Sequence, residues 1–306
     1  MRILFLTHSF NSLTQCLYCE LSRLGHQISI EFDITDSVSE EAVALFKPDL
    51  ILAPFLKRAI SASIWSRHLC LVVHPGVVGD RGPSALDWAI QNGEPEWGVT
   101  VLQAEAEMDA GPVWASANFP LRQAKKSSIY RNETTEAAVQ AVLLAVNRVN
   151  DTTFQPQRVP GQAHALIKQS DRLLDWQHES SAALLAKLNA ADGIPGVADQ
   201  LFGQACQLFD AWPEALLKGE PGSLLGYRET AICRATADGA LWIGHVKKPD
   251  GIKLPATQAF PQALALPELA LADYRKADHA TWQDISYEEV AGVGFLSFEF
   301  YNGAMS

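Results

Sequence analysis

Residues 69–84 read LCLVVHPGVVGDRGPS, and this stretch decides the fold. Leu69 to Val73 is a continuous apolar run, the pattern of a strand covered on both faces. It leads directly into His74, and the eleven residues from His74 to Ser84 contain three glycines and two prolines. A tight, irregular backbone after a buried strand is what an open α/β sheet presents at the carboxyl ends of its strands, where ligands sit. The histidine at that junction has two readings. A neutral imidazole there donates to a carbonyl oxygen as it becomes an oxyanion, or moves a proton near neutral pH. Alternatively its ring nitrogens only hold the loop together, and position alone leaves the two readings level.

Upstream, strand and helix signals alternate. Arg2 to Leu6 is an apolar run, and Leu13, Cys16, Leu17, Leu21 and Leu24 recur at helical spacing until Gly25. Gln27 to Ile34 alternates as a strand does. Ser37-Val-Ser-Glu40 reads as a capping box opening a helix that Pro48 ends. Leu50 to Ala53 is a strand closed by Pro54, and a short helical stretch lies near Ile60 to Trp65. Downstream, Ser84 to Gln91 reads as a helix, Val99 to Gln103 as a strand, and Glu133 to Arg148 as a helix with Val139, Val142, Leu143 and Val146 on one stripe. Repeated βα units predict a Rossmann-like domain with a parallel sheet over residues 1–149.

The stretch 150–164, NDTTFQPQRVPGQAH, has no apolar period and reads as an interdomain linker. Beyond it, a helix at Ser180 to Asn189 and the turn Gly193-Ile-Pro-Gly196 precede strand-like runs at Cys206 to Phe209, Thr230 to Ala235 and Ala240 to Val246. Short strands separated by turn residues predict a small β barrel or sandwich over 165–258.

The 306 residues carry 24 Lys+Arg against 35 Asp+Glu, a net charge of −11, which divides at position 162 into −4 and −7. Neither part offers the clustered cations that phosphate-backbone binding requires, so nucleic acid is excluded as the expected partner. No apolar run is long enough to span a membrane, and MRILFLTHSF lacks the features of a signal peptide. The five cysteines form no disulfide framework. The expectation is a soluble, cytoplasmic protein.

His8, Pro54 with Phe55, His74 and Asp109 each follow a predicted strand, which predicts one pocket built from four strand ends. Asp109 belongs to Glu105-Ala-Glu-Met-Asp109, where three carboxylates lie within five residues. Clustered negative charge raises a carboxyl pKa toward that of a general base, although a solvated acidic turn has the same sequence. Asp80-Arg81 reads either as an exposed ion pair or as Arg81 contacting an anion at the pocket mouth. Cys16-Leu-Tyr-Cys19 has no second pair for zinc and sits inside the helix, so its expected role is core packing and no metal site is expected. THSFNSLTQ, residues 7–15, replaces the glycine fingerprint of dinucleotide binding.

The run from Val72 to Pro112, VVHPGVVGDRGPSALDWAIQNGEPEWGVTVLQAEAEMDAGP, resembles the signature of the folate-dependent formyltransferases. His74 matches that family's histidine in Asn-x-His, and Asp109 its aspartate in Leu-Asp-x-Gly. LLDWQHESSAALLAKLNAADGIPGV, residues 173–197, resembles the start of the family's small C-terminal domain, which implies an OB-like β-barrel over 165–258. THSFNSLTQ, HPGVVGDRGPSALDWA, SSIYRNETTEAAV and FEFYNGAM are similar to the hydrogenase-maturation branch of the family, the HypX/HoxX type.

That resemblance implies 10-formyltetrahydrofolate as formyl donor and coenzyme A as acceptor. The formyl-CoA product would then yield carbon monoxide for a nickel-iron hydrogenase, through an enoyl-CoA hydratase-like domain reached by a connector over 259–306. His74 and Asp109 are the implied catalytic pair. Pro54, Phe55, Leu56, Glu105, Glu107 and Asp109 would hold the folate. The family asparagine falls on Val72, which has no donor, leaving His8 and Asn11 as candidate contacts to the oxyanion or substrate. Coenzyme A is anionic and calls for a basic rim; Lys57, Arg58, Arg81, Lys125, Lys126 and Arg131 are the cations at hand, with Gln15, Arg81 and Arg131 singled out. The alternatives are a sugar-nucleotide amine formyltransferase, a formyltetrahydrofolate hydrolase, or a folate-binding module without turnover.

Overall fold

A computed structural model describes residues 1–214 and 216–269, together with the backbone of two strands within 282–300. The last residues of FEFYNGAM, and 20 of the 48 residues of the expected connector, lie outside the described residues. The described chain divides into two compact units, 1–171 with 189–194, and 172–188 with 195 onward.

In the first unit, β1 (Arg2–Thr7), β2 (Gln27–Phe32), β3 (Leu50–Phe55) and β4 (Cys70–His74) form the parallel part of one sheet. The helices α1 (Ser12–Arg23), α2 (Asp36–Phe46) and α3 (Ala62–Trp65) connect them. After β4 come the short β5 (Asp80–Arg81), α4 (Ala85–Asn92), β6 (Glu96–Gln103) and β7 (Val113–Pro120). The strand order is β2-β1-β3-β4-β6-β7, and β6 and β7 are antiparallel to their neighbours. The sheet is therefore mixed where the sequence predicted a parallel one. The reason is local: the glycine-rich loop and the eight-residue α4 keep the chain at the carboxyl end of β4, so β6 starts there and runs back, with Thr100 opposite His74.

Helix α1 buries Leu13, Leu17 and Leu21 at successive turns and is capped by Asn11. Cys16 and Leu24, read from the sequence as part of this stripe, are exposed, because the buried face is the narrower i, i+4 row. Helix α2 is capped by Thr35, two residues ahead of the expected Ser37, and ends with Lys47 in the left-handed region before Pro48. The long helix before the expected linker is compound: α5 (Lys126–Ile129), a π-turn at Tyr130–Thr134 and α6 (Thr135–Arg148). Its packed face is Ala137, Ala138, Ala141, Val142, Ala145 and Val146, small residues that bring it close to the sheet; Val139 and Leu143 are only partly buried.

Residues 150–164 do not bridge the two units as a free linker. They lie along the first unit, where β8 (Gln162–Ala163) pairs with β5 and Gln157 bridges to Val113. The second unit takes in most of α7 (Ser181–Ala190) and an antiparallel sheet. Its strands are β9 (Val197–Leu201), β10 (Gln204–Glu214), β11 (Leu224–Arg228), β12 (Ala231–Ala235), β13 (Ala240–Lys247) and β14 (Lys253–Pro255). Their order is β11-β12-β13-β10-β9, with β14 on β13. A separate antiparallel pair joins β15 (Trp282–Val290) to β16 (Val293–Phe300). Among the described residues, no helix is long and apolar enough to cross a membrane.

Candidate active site

His74 closes β4 and is 5% exposed. Its Nε2–H donates to Asp80 Oδ2 at 2.7 Å, and the other oxygen of Asp80 accepts from His164 Nδ1–H at 2.9 Å. Asp80 is thus a buried carboxylate held between two imidazoles. It is neither the exposed partner of Arg81 nor a surface residue, because β5 turns it under the loop. Arg81 points away, to Glu107 at 3.2 Å and to the Val159 carbonyl at 3.1 Å. Two glycines make this packing possible. A Cβ on Gly76 would run into His74 Nε2 and Asp80 Oδ2, and one on Gly82, at φ 96°, would run into the His164 carbonyl. Trp97 and Thr100 on β6 donate to the carbonyls of Pro75 and Gly76, which fixes the turn behind the histidine.

Asp109 reaches this centre by an indirect route. Because β6 is antiparallel, Gln103 lies beside Leu71, three residues before His74, at the far end from the expected strand-end cluster. The loop then folds back, with Asp109 itself at φ 54°, and its Oδ2 accepts the Gly82 amide at 3.1 Å. The same oxygen stands 3.7 Å from His74 Nδ1, too far for a hydrogen bond. The acidic cluster is dispersed: Glu105 is paired with Arg158, Glu107 with Arg81, and Asp109 with the Gly82 amide. Mutual repulsion among the three is therefore not what the fold arranges.

A cavity of about 660 Å³ opens beside the pair. Pro54, Phe55, Leu56, Glu105, Glu107 and Asp109, the expected folate contacts, all line it, together with His74 and Val72. The other candidates do not. His8 is exposed and donates its backbone N–H to Phe55. Asn11 is committed to the α1 cap and to Tyr130, while Gln15 bonds the Phe10 carbonyl. Arg131 is exposed on the π-turn. The basic rim is partly spent as well, since Arg58 is bound to Asp33 and Asp36, and Lys126 to Asp87. Lys57 does line the cavity, over the Phe55 ring. Sequence reasoning missed Asp80, His164 and Arg158. The last two fell in the supposed linker, where nothing local marks them.

The formyl transferase family matches residues 18–146, and its C-terminal domain matches residues 166–263. The chain belongs to the formyltransferase family. It is 50% identical to a hydrogenase maturation factor HoxX from Bradyrhizobium diazoefficiens, over all of this chain and 54% of that protein. It superposes on HypX from Aquifex aeolicus in complex with tetrahydrofolic acid with a TM-score of 0.87 and 46% identity, over 100% of this chain and 55% of the other. A methionyl-tRNA formyltransferase from Clostridium thermocellum shares the fold at a TM-score of 0.55 and 15% identity, over 69% of this chain and 92% of that one. The chain thus spans about half the length of the hydrogenase-maturation relatives it matches.

Proposed function

We propose that this chain transfers a formyl group from 10-formyltetrahydrofolate to the thiol of coenzyme A, as a step in nickel-iron hydrogenase maturation. The observation that carries the reading is the juxtaposition of His74 and Asp109 at one end of a largely apolar cavity lined by Pro54, Phe55, Leu56 and Glu105. The likeness to a HypX structure holding tetrahydrofolic acid supports the folate. The acceptor and the maturation role rest on the resemblance to the maturation factors.

In this reading Asp109 takes the thiol proton, and the thiolate sulfur adds to the formyl carbon as the C=O pair moves onto oxygen. Collapse breaks the bond from carbon to the folate N10, and the proton held by Asp109 passes to that nitrogen. In this step His74 acts as the imidazolium: its Nε2–H is held by Asp80, which His164 holds in turn, and its Nδ1–H donates to the oxyanion. An enoyl-CoA hydratase-like domain consuming the formyl thioester would be supplied by the longer protein.

The test is to mix the purified chain with 10-formyltetrahydrofolate and coenzyme A and to follow formyl-CoA by mass spectrometry. Expected is product that falls by roughly 10²–10⁴ in His74→Ala and in Asp109→Asn. No product above the His74→Ala control would overturn the reading.

A further inference from the structure

The π-turn at 130–134 carries polar groups that this reaction has not yet used. Tyr130 and Thr134 border the same cavity as His74 and Asp109. The Tyr130 hydroxyl accepts a hydrogen bond of 3.2 Å from Asn11 Nδ2. Asn11 is itself fixed, since its Oδ1 accepts from both the amide and the hydroxyl of Thr14 at 3.0 Å. A phenol that accepts from an amide still has its own proton to give, and no acceptor for it stands among the described residues. Burial raises this phenol above its usual pKa, so it keeps that proton at neutral pH.

Thr134 is fully buried, and its hydroxyl has no hydrogen-bond partner among the described residues. In an α-helix a threonine hydroxyl can bond a carbonyl one turn back. Here Thr135 takes the Tyr130 carbonyl at 2.8 Å, five positions earlier, and Thr134 is left over. Such single π-turns occur disproportionately at functional sites. Several other polar groups around the cavity are already engaged: His74 Nε2 by Asp80, Gln103 Oε1 by Trp114, Arg58 by Asp33. Val72, where the family motif has asparagine, brings no donor.

We propose that the Tyr130 hydroxyl, aimed by Asn11 and flanked on the same π-turn by the unpartnered Thr134 hydroxyl, donates a hydrogen bond to the carbonyl oxygen of the formyl group in transfer. It fills the role that Val72 cannot. The inference rests on the formyl-transfer reading above. The oxygen that gains the C=O electron pair when the acceptor adds is the atom Tyr130 touches, and the pair returns to carbon as the bond to N10 breaks. Tyr130 is then a catalytic residue and Asn11 a positioning one.

The experiment measures kcat and KM for formyl-CoA formation, tetrahydrofolate affinity and thermal melting in the wild-type chain, Tyr130→Phe, Thr134→Val and Thr134→Ser. Expected is a kcat about 10²-fold lower in Tyr130→Phe, and about tenfold lower in Thr134→Val with recovery in Thr134→Ser. Folate affinity and melting should stay at wild-type values. Unchanged kcat in Tyr130→Phe overturns the inference, as does a rise confined to the KM for coenzyme A. Hydrolysis of 10-formyltetrahydrofolate passes through the same oxyanion with water as acceptor. If formyl-CoA never forms but hydrolysis falls in Tyr130→Phe, the donor role stands and the acceptor assignment fails. A wild-type chain inert in both reactions overturns both.

Discussion

At the scale of single residues, the centre depends on one carboxylate that touches no expected substrate atom. Asp80 accepts from His74 and His164 at once, the first contact buried and the second at a ring still 33% exposed. Asp80→Asn keeps the shape but gives one imidazole a donor to face. Formyl transfer is expected to fall by about 10²-fold with folate affinity retained, by analogy with other carboxylates that orient a catalytic histidine; steady-state kinetics beside folate titration checks this. Gly82 combines φ 96° with a Cβ path into the His164 carbonyl, and its amide holds Asp109. Gly82→Ala is therefore expected to cost about 2 kcal/mol or more, read as a melting temperature lower by several degrees. His74 was legible from sequence because a strand ending in histidine is a local pattern. Asp80 was not, because Asp beside Arg looks like a surface pair until β5 buries one and turns the other outward.

Among the elements, α1 shows how far periodicity goes. It placed Leu13, Leu17 and Leu21 inside, but Cys16 and Cys19 are exposed, whereas Cys70, Cys206 and Cys233 are buried in strands. Burial pushes the Cys70 and Cys233 thiols up to about 12 and Cys206 to about 11. A thiol-specific reagent at neutral pH should label two cysteines in the native chain and five after denaturation; early labelling of a third would contradict the buried strands. In the second unit, Arg234 pairs with Asp199 at 2.8 Å and lies 4.4 Å over the Trp176 ring, which itself bonds Asp199. Arg234→Met would leave that half-buried carboxylate without its cation. A loss of about 3 kcal/mol is expected, measured by denaturant unfolding.

For the whole molecule, charge and thiol burial set the working range. The thiol pKa values in the fold lie above the ordinary 9.0, so the unfolded chain releases those protons first as pH rises. Their contribution to stability is intact below pH 9 and is lost progressively toward about 12, which melting curves across that range will show. A net charge of −11 also predicts no retention of total tRNA in a mobility-shift assay at low ionic strength. The sequence by itself determined the strand and helix order of the first unit, the antiparallel character of the second, and the place of His74. All of these follow from local periodicity and from the glycines and prolines that punctuate it. Only the tertiary structure decided that β6 runs back along β4, that Asp109 must fold back to meet His74, and that 150–164 belongs to the site. It also decided that His164 closes on a carboxylate 84 residues away. Those pairings depend on where the chain returns after a long excursion, and the short-range pattern of residues that defines a strand carries no record of that return.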